Sequence, residues 1–181
     1  MAIYTYQIPY QLMLLHHLTG KVASLEYLEI TVGSQCIGRA SNGAVAGVLK
    51  ETFKPNQALQ PVQTIYIDKK SAKDVHKKKG KLLFILNTNG PMELFDSDGI
   101  PIPFLTELDC PVLVNYEDLF PENEGIRSFA KFPLYAVNRM ASVLRGLNEQ
   151  HINFTFYEEG DPAVSEYDNG NIKASFVTVM A

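Results

Sequence analysis

Residues 82–95 read LLFILNTNGPMELF, and this stretch decides the fold class. Leu82 to Leu86 form an unbroken apolar run, which is typical of a strand buried on both faces. Asn89-Gly90 follows as a two-residue turn signal, and Met92 to Phe95 can return beside the first strand. The stretch therefore predicts a β-hairpin, the smallest unit of an antiparallel sheet.

Further elements are predicted on both sides of this hairpin. Alternating or β-branched residues predict strands over 2–8, 25–32, 62–68, 151–158 and 172–179. Leucines at helical spacing predict a short helix between Pro9 and Gly20, and residues 44–53 are predicted as a helix of small residues. A polar loop is expected over 161–170. Since no βαβ rhythm appears, the predicted class is α+β, a mostly antiparallel β-sheet packed with two or three helices.

The clearest helix signal begins at Pro133, a residue suited to a first helical position. An apolar stripe at helical spacing follows it and is expected to face the core. The stripe consists of Leu134, Val137, Ala141, Leu144 and Leu147.

The chain has 181 residues, a net charge of −4 and a pI of about 5.6. This length predicts a single domain over 1–181 that needs neither a metal nor a disulfide to fold. Residues 68–81 are expected to form an exposed lysine-rich loop or insertion, with a marginal polar helix as the alternative. The net acidity excludes a globally basic nucleic-acid protein but is compatible with a local basic patch.

The segment 68–81 has the most unusual composition of the chain. It carries +5, because seven lysines outnumber Asp68 and Asp74, whereas the remainder of the chain carries −9. Lysines four residues apart repel one another on a helix, so the segment is expected to be solvated. These lysines are the predicted interaction residues: Lys69, Lys70, Lys73, Lys77, Lys78, Lys79 and Lys81.

No complete catalytic, cofactor or metal motif occurs in the sequence. Residues 38–43 begin like a phosphate-binding loop, but Ala44 and Val45 stand where a lysine and a hydroxyl are required. Residues 96–99 resemble the start of a calcium loop, but the glycine comes fourth rather than sixth, which favours a plain turn. The four histidines lack metal-binding spacing. We therefore predict no catalytic residue, no cofactor, no metal and no enzymatic activity.

Cysteine content and the absence of targeting signals bear on localisation. Cys36 and Cys110 are the two cysteines, and they are interpreted as free thiols. No apolar run is long enough to cross a membrane, and the N-terminal residues lack the basic region of a signal peptide. The expected location is cytoplasmic or intracellularly assembled, without secretion by a signal peptide and without a membrane partner.

Three functions remain open at this point. The leading hypothesis is a non-enzymatic binding or assembly protein that self-associates as a homo-oligomer or docks onto a larger protein complex. A virion-type or multi-subunit assembly is an example of such a complex. The reason is that segregated charge favours head-to-tail contacts between molecules. The alternative is a nucleic-acid-binding accessory protein that uses Lys77–Lys81. This alternative is weakened because no aromatic residue lies between Tyr66 and Phe84 to stack on bases. The third is an enzyme whose site is assembled from distant residues.

Overall fold

The computed structural model describes residues 2–22, 25–52, 60–109, 114–120, 132–156 and 162–178. Its strands are β1 (Ile3–Ile8), β2 (Tyr27–Val32), β3 (Ile37–Ser41), β4 (Val45–Glu51), β5 (Gln63–Asp68), β6 (Leu82–Asn87), β7 (Glu93–Phe95), β8 (Leu105–Thr106), β9 (Ala163–Asp168) and β10 (Ile172–Thr178). Its helices are an N-terminal 3₁₀ helix (Tyr10–His17), α1 (Lys69–Lys78) and α2 (Leu134–Gly146). A single 3₁₀ turn covers Glu117–Leu119.

The strands form two sheets whose strand pairs are antiparallel throughout the described residues. One sheet has the order β1-β6-β7, and the other has the order β8-β5-β2-β3-β4-β10-β9. The 3₁₀ helix packs against α1, α2 and the strands β2, β3 and β4. The predicted α+β class with a mostly antiparallel sheet is confirmed.

The hairpin predicted from residues 82–95 is present as β6 and β7, with Phe84 opposite Leu94. β6 is less buried than expected, because Leu82 and Phe84 are buried while Leu83 and Ile85 are half-buried. β6 is the central strand of a small sheet, and one face of that sheet is only partly covered. A continuous apolar run therefore does not guarantee burial on both faces.

The N-terminal helix predicted between Pro9 and Gly20 is a 3₁₀ helix at the centre of the core. Leu12, Leu15 and Leu18 are fully buried. Their spacing of three residues matches the 3₁₀ repeat, in which side chains three apart lie above one another. The sequence pattern therefore placed this element correctly, and the repeat of three explains its helix type.

The helix predicted over residues 44–53 is wrong, because β4 occupies Val45–Glu51 between β3 and β10. The small residues serve close packing here rather than helix formation. A Cβ atom at Gly47 would lie 2.8 Å from Phe176 Cδ1 and would also collide with Leu18. Gly47 therefore lets β4 approach the core closely, and tertiary contacts override the local helical tendency.

Two predictions near the C-terminus also need correction. Over the described part of 151–158, the structure has only an isolated bridge from Thr155 to Val164 instead of a strand. The predicted loop over 161–170 contains β9, which pairs with β10. Residues 152, 154 and 156 are nevertheless half-buried and alternate with exposed neighbours. The alternating pattern therefore predicted correctly which side chains point towards the core.

Helix α2 begins after Pro133 as predicted, but its buried face is rotated from the predicted stripe. Leu144 and Leu147 are buried as expected, whereas Leu134 is 75% exposed. The remaining buried residues of the helix are Ala136, Met140 and Val143. The rotation follows from packing against the 3₁₀ helix, where a Cβ atom at Gly146 would lie 3.0 Å from Leu14 Cδ1.

Candidate nucleic-acid interface

Residues 69–78 of the lysine-rich segment form helix α1 rather than a loop. The Asp68 carboxylate caps the helix, because its Oδ1 accepts hydrogen bonds from the N–H groups of Lys70 at 2.9 Å and Ser71 at 3.0 Å. Ala72 and Val75 are the buried residues of the helix. With its two apolar residues facing inward, α1 directs most of its lysines to the solvent.

The seven predicted interaction lysines do not share one role. Lys78 is neutralised internally, since its Nζ lies 2.5 Å from Asp96 Oδ2 and 2.9 Å from Asp98 Oδ2. Hydrogen bonds to Asp96 and Asp98 raise the pKa of Lys78, and the bond from Lys78 is the largest cause of the lowered pKa of Asp96. Lys77 forms an exposed ion pair with Asp74 at 3.3 Å.

Other lysines of the set bind neutral acceptors. Lys69 donates to the Thr19 carbonyl oxygen at 3.2 Å, and Lys81 donates to Gln7 Oε1 at 3.0 Å. Within the part of the chain that the structure describes, three lysines of the set make neither an ion pair nor a side-chain hydrogen bond. They are Lys70, Lys73 and Lys79, all of them exposed.

The turn over 96–99 holds the acidic partners of Lys78. Asp96 Oδ1 accepts hydrogen bonds from the N–H groups of Asp98 and Ile100, each at 2.9 Å, and Gly99 has a φ of 77°. The arrangement is a plain turn, and a lysine ammonium of the same chain occupies the carboxylate oxygens. Among the described residues, no group of three or more His, Cys, Asp or Glu side chains is arranged to hold a metal ion.

The fold adds two cations that the sequence did not connect with the lysine-rich segment. Lys21, Lys69, Lys70 and Lys73 line one surface groove together with Tyr27 and two acidic residues, Glu26 and Asp68. Burial lowers the pKa of Lys69, and the nearby charges of Arg139, Lys21 and Lys73 lower it further. Helix α1, helix α2 and the bend at Lys21 therefore bring positive charge together. We call these five residues the basic face: Lys21, Lys69, Lys70, Lys73 and Arg139. Such distant residues leave no local sequence signal.

Aromatic rings also lie beside α1, although the lysine-rich segment contains none of Phe, Trp or Tyr. The Tyr10 ring stacks on His76 with 6.2 Å between ring centroids. The rings of His16 and His76 are 5.7 Å apart, and those of His16 and His17 are 4.0 Å apart. The 3₁₀ helix thus supplies, through tertiary packing, the aromatic groups that the sequence of α1 lacks.

The imidazoles of this cluster are held in their neutral form. Burial lowers the pKa of His16 to about 4, and the neighbouring charges of His17 and His76 contribute to the shift. Burial also lowers the pKa values of His17 and His76. Positive neighbours add to both effects: His76, Arg139, Lys69 and Lys73 beside His17, and Lys79 beside His76.

A second surface feature is an apolar groove with a cavity volume of about 280 Å³. Its lining includes Val45, Ala46, Val114, Leu119 and Pro162. The chain segment 114–120 forms one wall, and β4 forms the other. The wall formed by segment 114–120 is partly exposed, because 37% of Leu119 is accessible to solvent.

The seven-stranded sheet ends at β8 on one side and at β9 on the other. Within the described residues, β8 pairs only with β5, and the outer side of β9 meets only the single bridge at Val164. Strand edges with unpaired N–H and C=O groups can add a strand from another molecule.

Two further sequence predictions can be placed in part. Cys36 is buried and its Sγ lies 3.8 Å from the Gln7 carbonyl oxygen, whereas Cys110 lies outside the described residues. Residues 38–41 of the apparent phosphate loop belong to β3.

No helix among the described residues is both long and apolar enough to span a bilayer.

Comparison with known proteins identifies the fold. No protein family model matches the chain, and no curated protein sequence matches it. Among solved structures, it is similar to the DNA polymerase sliding clamp of Bacillus subtilis, with a TM-score of 0.68 and 10% identity over 98% of this chain and 64% of the clamp. The Pseudomonas aeruginosa clamp gives a TM-score of 0.67 and 9% identity over 98% and 66% of the two chains.

A second Pseudomonas aeruginosa structure, a sliding clamp bound to griselimycin, gives a TM-score of 0.66 and 11% identity over 98% and 65% of the two chains. At such low identity, the similarity establishes a shared fold. The chain spans slightly less than two thirds of the length of these clamps.

Proposed function

We propose that this protein is a clamp-type subunit: a non-enzymatic assembly protein that associates with copies of itself, holds duplex DNA and docks onto a DNA polymerase. The observation that carries the proposal is the similarity of 98% of the chain to DNA polymerase sliding clamps at TM-scores of 0.66–0.68. The proposal joins the assembly hypothesis raised by the sequence to DNA binding, but it moves the DNA contact from Lys77–Lys81 to the basic face, because Lys77 and Lys78 form ion pairs with acids.

The basic face supports contact with DNA. Lys70, Lys73 and Lys21 are exposed in one groove, where they outnumber Glu26 and Asp68, and the charge of Arg139 acts on the adjacent Lys69. Clustered cations bind the phosphate backbone without reading sequence, which suits a protein that must move along DNA. The segregation of charge also directs a polyanion to this face, since the net charge of the rest of the chain is negative.

The open sheet edges support self-association. A strand of one copy placed beside β9 or β8 of the next would continue the seven-stranded sheet from subunit to subunit. Such head-to-tail contacts use two different surfaces and can close into a ring. The self-association expected from charge alone is therefore assigned to backbone hydrogen bonds at the sheet edges.

The DNA contact is tested with a double charge reversal, Lys70→Glu with Lys73→Glu. Filter binding or fluorescence anisotropy with a duplex should show at least a tenfold weaker affinity. The slope of log affinity against log salt concentration should become shallower by about one unit per lysine. The matched control reverses Lys50 and Lys173, which are exposed and directly opposite each other on β4 and β10. Equal affinities for the two double variants would contradict DNA binding by the basic face.

Enclosure of DNA is tested with circular and linear duplexes of the same sequence. A subunit ring around the duplex should be retained on a closed circle during gel filtration and should be lost after a single cut. Light scattering on the free protein should show a mass above that of one 20.2 kDa chain. A strictly monomeric protein that leaves both DNA forms equally fast would contradict the clamp proposal.

Polymerase docking is assigned to the apolar groove, with an apolar segment of the polymerase as its occupant. A cavity of about 280 Å³ has room for one or two large apolar side chains. Leu119→Glu should weaken polymerase capture at least tenfold, because it places a charge against the bound segment. Val62→Glu is the control, since Val62 is 70% exposed and lies outside the groove. Equal capture by both variants would contradict the assignment.

A further inference from the structure

A cluster of three side chains lies where the 3₁₀ helix packs against α1. Tyr10, His17 and His76 are all half-buried, so each presents part of its ring to solvent. The tyrosine ring stacks on His76, and the His16 ring contacts the rings of both His17 and His76. His16 itself is only 6% exposed and belongs to the core.

The charges named as acting on His17 and His76 are positive or titrate to a positive charge. The 3₁₀ helix contributes His16, and α2 contributes Arg139, which donates to the His17 carbonyl oxygen. Helix α1 contributes Lys69 and Lys73, and Lys79 follows the last residue of the helix. The positive charges of Arg139, Lys69 and Lys73 beside His17, and of Lys79 beside His76, favour a bound anion.

A phosphate group would change the protonation of these imidazoles. The positive neighbours and partial burial oppose protonation of His17 and His76 while no anion is bound. A phosphate placed between the histidines would compensate that charge, and a protonated imidazole would donate an N–H to the phosphate oxygen as a charge-assisted hydrogen bond. Binding of phosphate and uptake of a proton must therefore strengthen each other.

We propose that His17 and His76, together with Tyr10, form a proton-dependent site for a phosphate of the DNA backbone. This inference rests on the proposed DNA binding by the adjacent basic face. It adds that the grip on DNA tightens as the pH falls through the range in which bound imidazoles become charged. The chemistry requires no cofactor, because the proton comes from water and returns to it when the DNA leaves.

The first experiment measures the affinity for a short duplex by fluorescence anisotropy from pH 8 to pH 5.5 at constant ionic strength. The affinity of the natural protein should rise on acidification, by up to about tenfold per pH unit for each proton taken up. The double variant His17→Gln with His76→Gln should flatten this rise. His151→Gln is the matched control, since His151 is 82% exposed in its side chain and lies beside Glu149 instead of the cluster.

A second measurement requires no substitution and is therefore independent of any folding defect in the variants. Proton NMR titration of the imidazole C–H signals, with and without duplex, should show that DNA raises the pKa of His17 and His76. The C–H signals of His151 should not respond to the addition of DNA. Its exposed position makes it an internal reference in the same spectra.

The outcomes separate this inference from the proposed function. DNA binding whose affinity is independent of pH, or rises equally in the double variant, overturns the phosphate site and leaves the clamp proposal standing. NMR pKa values of His17 and His76 that do not move on DNA addition overturn it as well. Absence of DNA binding at every pH overturns both proposals together.

Discussion

Lys73 and Lys78 lie on the same helix and carry the same charge, yet their surroundings give them different roles. Lys78 is held by two carboxylates of the 96–99 turn and links α1 to the end of β7. Lys73 is exposed and lines the basic groove. A lysine already compensated by two acids offers little net charge to DNA, whereas an unpaired one can displace counterions from a phosphate.

Lys78→Met and Lys73→Met are expected to have different effects. Lys78→Met should lower the thermal unfolding midpoint, because it leaves Asp96 with a 6% exposed side chain and without its cation. Lys73→Met should leave that midpoint nearly unchanged and weaken duplex binding. Differential scanning fluorimetry and anisotropy measure the two effects. The interpretation is wrong if Lys78→Met weakens DNA binding more than Lys73→Met does.

Helix α1 forms despite the repulsion among its lysines. Asp68 satisfies the first N–H groups, and Ala72 and Val75 anchor the helix on its inner side. His76, Lys77 and Lys78 occupy the last turn, where positive charge interacts favourably with the helix dipole. Capping and burial therefore compensate for an unfavourable charge pattern, which explains why the segment forms a helix, the alternative to the loop predicted from the sequence.

The prediction for this element concerns its cap. Asp68→Ala should lower the free energy of unfolding by about 1 kcal/mol, measured by urea denaturation followed by circular dichroism. Asp68→Asn should retain most of the stability, because an asparagine oxygen can still accept the hydrogen bonds of the cap.

The cap also has a pH dependence. Burial alone would raise the pKa of Asp68, but the hydrogen bonds from Ser71 and Lys70 outweigh it and lower the pKa. A carboxyl with a lowered pKa stabilises the fold above its unfolded pKa near 4 and loses that contribution as the pH falls further. The stability difference between the natural protein and Asp68→Ala should therefore shrink in acid. A constant difference down to pH 2 would contradict the charged cap.

Across the whole molecule the charge is uneven, since the lysine-rich segment carries +5 against −9 elsewhere. In the described part of the chain, the seven-stranded sheet ends at β8, which pairs only with β5, and at β9, whose outer side carries only the bridge from Val164 to Thr155. DNA binding and self-association are therefore expected to use different forces, electrostatic attraction in the first case and backbone hydrogen bonding in the second.

Salt separates these two forces. Raising the salt concentration from 50 to 200 mM should weaken duplex binding by orders of magnitude while the mass measured by light scattering stays unchanged. Exposed charges are strongly screened in this range, whereas backbone hydrogen bonds between strands are not. Dissociation of the oligomer in parallel with loss of DNA binding would instead favour the charge-driven assembly suggested by the sequence.

The local patterns in the sequence determined most of the elements. The run at 82–86 with its Asn-Gly turn predicted the β6–β7 hairpin, and the leucines at 12, 15 and 18 predicted the N-terminal helix. These signals are reliable because they depend on neighbours within a few residues. The error at 44–53 arose because Gly47 packs against distant residues, Leu18 and Phe176. The error at 161–170 has a different origin, since β9 pairs with β10, the next strand along the chain.

The sequence by itself also determined that a compact group of lysines opposes an acidic remainder. Only the tertiary structure decided which of those lysines is compensated, by bringing the 96–99 turn to Lys78. It likewise placed Lys21, Arg139 and the rings of Tyr10 and His17 beside α1. The reason is physical: charge compensation and ring stacking act over a few ångströms, and those distances are set by how the chain packs, not by its order along the sequence.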